Sequence, residues 1–289
     1  MSDVKIGVIG GSGLYKMEDM TDIEEVAIST PFGDPSDNVI IGALSGQRVA
    51  FLPRHGRHHT ISPTSLNSRA NIWAMKSLGV KYIIAANACG SLREDFAPRH
   101  IVIPDQLFDR TRSRELSYYK QDVIVHMSVA EPFDPDLNDL LHDAVAETGA
   151  TVHKGGTFIV IEGPRFSTKA ESKIFRQWGC DIIGMTTIPE AFLAREAEIA
   201  YSSMAHVTDY DVWHETEEAV TVDAIIATLN ANVEIAKQAI RNVVAKLADE
   251  PEMMSHNALA SAIISRRERK YVPDDTWEKL EAFIGKYYS

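Results

Sequence analysis

A chain of 289 residues, 45% of them hydrophobic, is long enough to close one large α/β domain around its own core. Its formal net charge of −12 argues against nucleic acid or an anionic membrane surface as the main partner, so any anionic ligand must be held by local positive groups. Two cysteines outside any C-x-x-C spacing, no secretory leader and no apolar run near ~20 residues argue against structural zinc and a membrane span, and the expected compartment is the cytoplasm.

Residues 4–9 are a short apolar run that ends in Gly10-Gly11-Ser12-Gly13, which predicts a strand feeding a glycine turn. That turn lacks the sixth-position glycine of a dinucleotide fingerprint, and Leu14 stands where a nucleophile elbow needs glycine. Two readings stay open for it: a nest of N–H groups for one phosphate, or a plain strand-end turn. Strands are predicted at 38–44 and 48–52 with Ser45-Gly46 as the hairpin between them. Directly after the second comes Arg54-His55-Gly56-Arg57-His58-His59, the densest positive cluster in an acidic chain. A guanidinium donates two parallel hydrogen bonds to a phosphate and a neighbouring histidine can add a third, so phosphate is favoured over a metal, for which no carboxylate or cysteine lies close.

Apolar residues at spacings of three and four predict a helix over 65–78, stopped by Gly79. A buried strand is predicted at 82–86, running into Asn87-Ala88-Cys89-Gly90-Ser91, where Cys89 reads as a small buried residue more than a nucleophile. Asp134-Pro135 opens a helix closed by Gly149, and Thr168 with Glu171 makes a capping box for another that Gly179 ends. Strands predicted at 157–161, 181–183 and 200–206 alternate with these helices, the α/β pattern. A long helix is expected from Val222 through Leu247, and after Pro251 the charged tail is expected to be helical around 255–267 and 276–287.

Three further stretches carry chemistry. Glu162-Gly163-Pro164-Arg165-Phe166 bends sharply, so Phe166 either stacks on a planar ligand or is ordinary core. The segment Gly184-Met185-Thr186-Thr187 precedes a proline-led helix and can offer N–H groups to an anion or a sugar hydroxyl. Asp209-Tyr210-Asp211 ends a strand with two carboxyls at i and i+2, which share a face in extended backbone. Either the pair is a solvated turn, or one carboxyl gives a proton to a ring nitrogen while the other accepts from an amine, the edge that adenine presents.

Taken in order, Gly10-Gly11-Ser12-Gly13, Arg54-His55-Gly56-Arg57, Asn71-Ile72-Trp73-Ala74, Ala88-Cys89-Gly90-Ser91-Leu92, Glu162-Gly163-Pro164-Arg165-Phe166, Met185-Thr186-Thr187 and Asp209-Tyr210-Asp211 resemble the trimeric purine nucleoside phosphorylase family. The resemblance covers roughly residues 4–230 and looks closest to members that act on 5′-methylthioadenosine. It implies a single α/β domain with a central mixed, twisted sheet flanked by helices. The expected boundaries are 1–250 for that domain and 251–289 for a helical tail packing on it. The implied reaction transfers a pentosyl group from 5′-methylthioadenosine to phosphate, with a 6-oxopurine nucleoside as the alternative substrate.

Carried over residue by residue, the resemblance implies that Ser12, Arg54, His55, Asn87, Ala88 and Thr186 bind phosphate. Asn87 stands where threonine is expected, so its contribution is expected through the backbone more than the side chain. Phe166 would stack on the base, Asp209 would protonate it and Asp211 would accept from its amine. Met185 would meet the ribose, and Val222, Ile225 and Ile226 would wall the 5′ group. His126 would serve the neighbouring subunit's pocket, in a homotrimer or a dimer of trimers. Gly184 stands where relatives often carry asparagine. Burial and the like charge of Asp211 are expected to raise the Asp209 pKa enough for it to hold a proton near neutral pH. Phosphate is a co-substrate in this reading, and neither a metal nor an organic cofactor is required.

Overall fold

The computed structural model describes residues 4–11, 13–14, 17–214 and 222–289, the side chains of 222–225, 229 and 230 excepted. Eleven strands form one mixed sheet: β1 (Ile6–Gly10), β2 (Thr21–Val26), β3 (Val39–Leu44), β4 (Gln47–Pro53), β5 (Tyr82–Ser91), β6 (Ile101–Ile103), β7 (Gln106–Arg110), β8 (Val152–Lys154), β9 (Thr157–Ile161), β10 (Ile182–Gly184) and β11 (Ala200–Asp209). Among the described residues six α-helices accompany them: α1 (Ser68–Ser77), α2 (Pro135–Ala146), α3 (Lys169–Gln177), α4 (Thr187–Glu196), α5 (Val222–Lys246) and α6 (Asp274–Ile284). No helix among the described residues is long and apolar enough to cross a membrane.

Local chemistry accounts for several boundaries. Ser45 and Gly46 both have positive φ, +49° and +79°, the pattern that matches a two-residue hairpin to strand twist, and Leu44 pairs with Gln47 across it. Asp134 accepts from the Leu137 N–H with Pro135 following, and Thr168 and Glu171 form both halves of the capping box. Helix α1 starts three residues later than the apolar spacing suggests, because the Asn67 side chain caps it by accepting from Ala70 N.

The main path of the sheet runs β2-β3-β4-β1-β5-β10-β9-β7, and β11 branches from β5 to reach β6 and then β8. Both β1 and β11 pair with residues 82–85 of β5, so they lie on opposite edges of it. Strand β10 pairs with Gly90 and Ser91, and β11 also pairs with Gly90, which puts β10 on the β1 edge. Between the last β1 pair at Ala85 and the first β10 pair at Gly90, that edge of β5 is open. Ligand clefts in α/β sheets form at such points of divergence.

On one face α2 and α5 bury Leu137, Leu141, Ala239, Ile240 and Val243 against the strands. On the other, α1 and α4 contribute Ile72, Met75, Leu193 and Ala194, joined by Leu259, Ile263, Leu280, Phe283 and Ile284 from the C-terminal segment. That segment is also tied by Ser255 Oγ to Asp134 Oδ2 at 2.6 Å and by Tyr287 Oη to Glu198 Oε1 at 2.6 Å.

The helix expected over 255–267 is absent. One 3₁₀ turn, Met254–Asn257, is followed by irregular chain with an isolated bridge between Val125 and Ile263. The backbone bonds of this stretch go elsewhere: Ile264 N donates to Ile124 O, and Ala262 O accepts from His126 N. Tertiary pairing thus overrides the helix expected there.

Candidate functional site

The open edge of β5 faces a chamber of about 690 Å³, within the usual ~300–1,000 Å³ of small-molecule sites. Arg54 and His55 reach it from the end of β4, Ala86 to Gly90 from β5, Phe166 from the bend before α3, Met185 and Thr186 from the link between β10 and α4, Asp209 and Asp211 from the end of β11, and Ile226 from α5. Residues from Arg54 to Ile226, 172 positions apart in sequence, therefore meet around one space. His126 is exposed and does not line this chamber in its own chain. Ser12 and the side chains of Val222 and Ile225 lie outside the described residues.

The two carboxyls converge, but not by strand periodicity. Strand β11 carries a register shift between Val207 and Asp209 and ends there, and Asp211 sits at φ +50°. The pair is drawn together by a turn in which Asp211 N donates to Asp209 Oδ1 at 2.8 Å. Gly90 makes room for it, since a Cβ at that position would lie 2.9 Å from Asp209 Oδ1.

Burial raises the pKa of Asp209, opposed by hydrogen bonds from Thr208 and from Asp211 N. The expected push from the Asp211 charge is not among its causes. It acts in the other direction, where the Asp209 charge adds to burial in raising Asp211. Thr208 Oγ1 lies 2.7 Å from Asp209 Oδ2 and 3.1 Å from Cys89 O, and with one proton it can donate to only one of them. It can therefore donate to an ionised Asp209, or turn to Cys89 O and accept from a protonated one. Among the described residues Asp211 Oδ2 makes no hydrogen bond, although the Ser172 hydroxyl lies close enough to oppose the rise of its carboxyl. Cys89 itself is buried, and burial holds its thiol well above the ordinary range, so it is no nucleophile at neutral pH.

At the opposite end, Arg54 is 3% exposed and largely committed within the protein. Its Nε and Nη2 grip Glu190 at 2.9 and 2.8 Å, Nη2 also donates to Ile9 O at 3.2 Å, and Nη1 donates to Ala86 O at 2.8 Å. Tyr201 Oη adds a third bond to Glu190 at 2.7 Å. The expected two-pronged grip on an anion is thus spent on Glu190, and one Nη1 hydrogen remains for the chamber. His55 Nδ1 lies 2.8 Å from Ile61 O, a pure acceptor, so Nδ1 carries the proton and Nε2 is left as an acceptor. Burial lowers its pKa to about 4, so it donates from Nε2 only when an arriving anion brings or draws in a proton.

Phe166 is 42% exposed and lines the chamber, which removes the ordinary-core reading. Gly184 has a steric reason to be glycine: a Cβ there would meet the Phe158 ring at 2.8 Å. Sequence reasoning passed over Glu190, Ser167, His206 and Asn232. Among the described residues Ser167 Oγ and His206 Nδ1 are buried without hydrogen-bond partners, and both residues line the chamber with Asn232. His206 stands in a run read only as a buried strand, and polar residues within such a run are the signal that was available.

Comparison with known proteins bears on this geometry. Residues 5–247 match the model of the phosphorylase superfamily. The S-methyl-5′-thioadenosine phosphorylase of Chloroflexus aurantiacus is 51% identical over 290 residues, covering 100% of both chains, and that of Geobacter sulfurreducens is 51% identical over 98% of each. Among solved structures, a methylthioadenosine phosphorylase from an antarctic soil metagenomic library superposes with a TM-score of 0.94 at 42% identity, over 98% of this chain and 99% of that one. Methylthioadenosine phosphorylase from Schistosoma mansoni in complex with adenine gives 0.82 at 38% identity, over 86% and 93%. With a fold shared nearly end to end and a family match that spans every strand around the chamber, the chain belongs to the phosphorylase superfamily.

Proposed function

We propose that the chain cleaves S-methyl-5′-thioadenosine with inorganic phosphate, giving adenine and S-methyl-5-thio-ribose 1-phosphate, a pentosyl transfer in purine and methionine salvage. The observation that carries this is the pair of half-buried carboxyls, Asp209 and Asp211, at one end of a chamber whose other end holds Arg54, His55, Asn87 and Thr186. The 51% identity to S-methyl-5′-thioadenosine phosphorylases along 98–100% of the chain supports the same substrate.

In this reading phosphate lies against Ser12, Arg54, His55, Asn87, Ala88 and Thr186 and attacks the anomeric carbon. The C1′–N9 bond breaks, its electron pair stays with the base, and a C1′–O bond to phosphate forms. Positive charge that develops on the ribose is stabilised by the adjacent phosphate. Asp209 supplies the proton that the departing purine takes at N7, and Asp211 accepts from the exocyclic amine. Phe166 stacks on the base and Met185 meets the ribose. Val222, Ile225 and Ile226 enclose the methylthio group, and His126 completes a neighbour's pocket in a cytoplasmic homotrimer or dimer of trimers. Phosphate is the only other reactant, and no cofactor takes part.

Adenine release from methylthioadenosine, followed with and without phosphate, tests the reaction. Strict phosphate dependence is expected, and release without phosphate would identify a hydrolase. Light scattering during turnover tests the assembly: a fully active monomer contradicts the role given to His126.

A further inference from the structure

Thr186 Oγ1 accepts a hydrogen bond from Asn87 Nδ2 at 2.7 Å, and Asn87 Oδ1 accepts one from Ser203 Oγ at 2.9 Å. Asn87 and Thr186 line the chamber, whereas Ser203 is 0% exposed behind them on β11. The direction of this chain matters. With the amide nitrogen turned to Thr186, that hydroxyl is held as an acceptor and its single proton is free for the chamber. With the amide reversed, Asn87 Oδ1 would take the Thr186 proton and leave only lone pairs to meet an anion.

Ser203 decides between the two. Asn87 Oδ1 is the acceptor found for its hydroxyl among the described contacts. A reversed amide would present N–H to Ser203 and leave a fully buried hydroxyl proton without a partner, which is unfavourable. Thr186 adds no opposing demand, because as N-cap of α4 it makes no side-chain capping bond.

We infer that Ser203 is a positioning residue which, through Asn87, aims the Thr186 hydroxyl proton at an oxyanion in the chamber. The inference rests on the proposed binding of phosphate by Thr186. It also gives the asparagine at 87 a use: a primary amide carries donor and acceptor on opposite ends and can pass direction from one hydroxyl to the next, which a threonine hydroxyl does with one proton only.

A double-mutant cycle tests it, with kcat and the KM values of phosphate and methylthioadenosine measured for the wild type, Ser203→Ala, Thr186→Val and the double variant. Ser203→Ala is expected to raise the phosphate KM about 3- to 10-fold, the range of one hydrogen bond, with the nucleoside KM moving less than ~2-fold. In the Thr186→Val background the same substitution should add less than ~2-fold. Ser203→Thr, which keeps the hydroxyl, should restore the wild-type value. Independent, multiplying losses overturn the relay, as does an equal rise in both KM values. If Thr186→Val leaves the phosphate KM unchanged, the phosphate assignment of Thr186 falls instead. Should Ser203→Ala not fold, Ser203→Cys, whose thiol is only a weak donor, takes its place in the same cycle with Thr186→Val.

Discussion

Replacing Asp209 by asparagine isolates the proton from everything else the side chain does. Asp209 Oδ1 accepts from Asp211 N at 2.8 Å, and an amide oxygen can take that bond unchanged. At the other oxygen, the new NH₂ would donate to Thr208 Oγ1, whose proton turns to Cys89 O, already 3.1 Å away. No buried polar group is orphaned, so the turn holding Asp211 is kept. What disappears is the proton for the leaving base, and general acid catalysis is worth ~10²–10⁴-fold, about 3–5 kcal/mol. Expected for Asp209→Asn is a kcat lower by that factor with a nucleoside KM within about threefold of wild type. Stability should not fall. A carboxyl whose folded pKa is raised holds its proton more tightly when folded, so its contribution to stability declines as pH rises from the unfolded value of 3.8 through the folded one. Asparagine has no such decline, and at pH 8 the variant should melt at or above the wild type. The assay is adenine release against phosphate and nucleoside concentration across pH. Wild-type activity should fall as pH rises and Asp209 loses its proton, and the variant should lack that alkaline limb. Turnover within tenfold of wild type, or an alkaline limb that survives, would refute the assignment of the proton donor.

Arg54→Ala is expected to cost about 3–5 kcal/mol of stability, because it leaves Glu190, 1% exposed, without its cation. Arg54→Lys keeps a charge there and should raise the phosphate KM on the order of tenfold with little change for the nucleoside, whereas an equal rise in both would make Arg54 purely structural. Asp211→Asn should narrow a strong preference for methylthioadenosine over methylthioinosine by about tenfold or more in kcat/KM, since the unpartnered Oδ2 is exchanged for a group that can donate to a 6-oxo base. Equal use of both nucleosides by the wild type would point to a 6-oxopurine enzyme. Glu196 offers a test of stability against pH: burial pushes its carboxyl up to about 7, against 4.5 unfolded. Across that window the folded state keeps a proton the unfolded state has released, so this group's contribution falls as pH rises, by about 3 kcal/mol in all. Denaturant titrations from pH 4.5 to 8 should show that decline reduced in Glu196→Gln, and an identical pH dependence in both proteins would show that Glu196 ionises normally.

Local sequence determined a good part of this protein because the forces involved are local. Asp134-Pro135, the Thr168–Glu171 box and Ser45-Gly46 each satisfy or turn the backbone within a few residues, and each is where the sequence put it. The strand ends near Arg54 and Asp209 were legible for the same reason, as apolar runs giving way to polar groups, whereas the strand expected to stop at 86 continues through Asn87 to Ser91 because β11 and β10 go on pairing with it. The strands β2, β6, β7 and β8 were not legible, being short or, like the exposed Thr21–Val26, stabilised by pairing alone with no buried alternation to mark them. Tertiary structure alone decided how the candidate site residues are held. It spent the Arg54 fork on Glu190, 136 positions away, set the His55 tautomer through Ile61 and oriented Asn87 by Ser203, 116 positions away. It also brought Asp211 to Asp209 by a turn instead of a strand. Hydrogen-bond direction and the pKa of a buried group depend on which partners the fold delivers and how much water it removes, and neither is written in the spacing of residues along a chain.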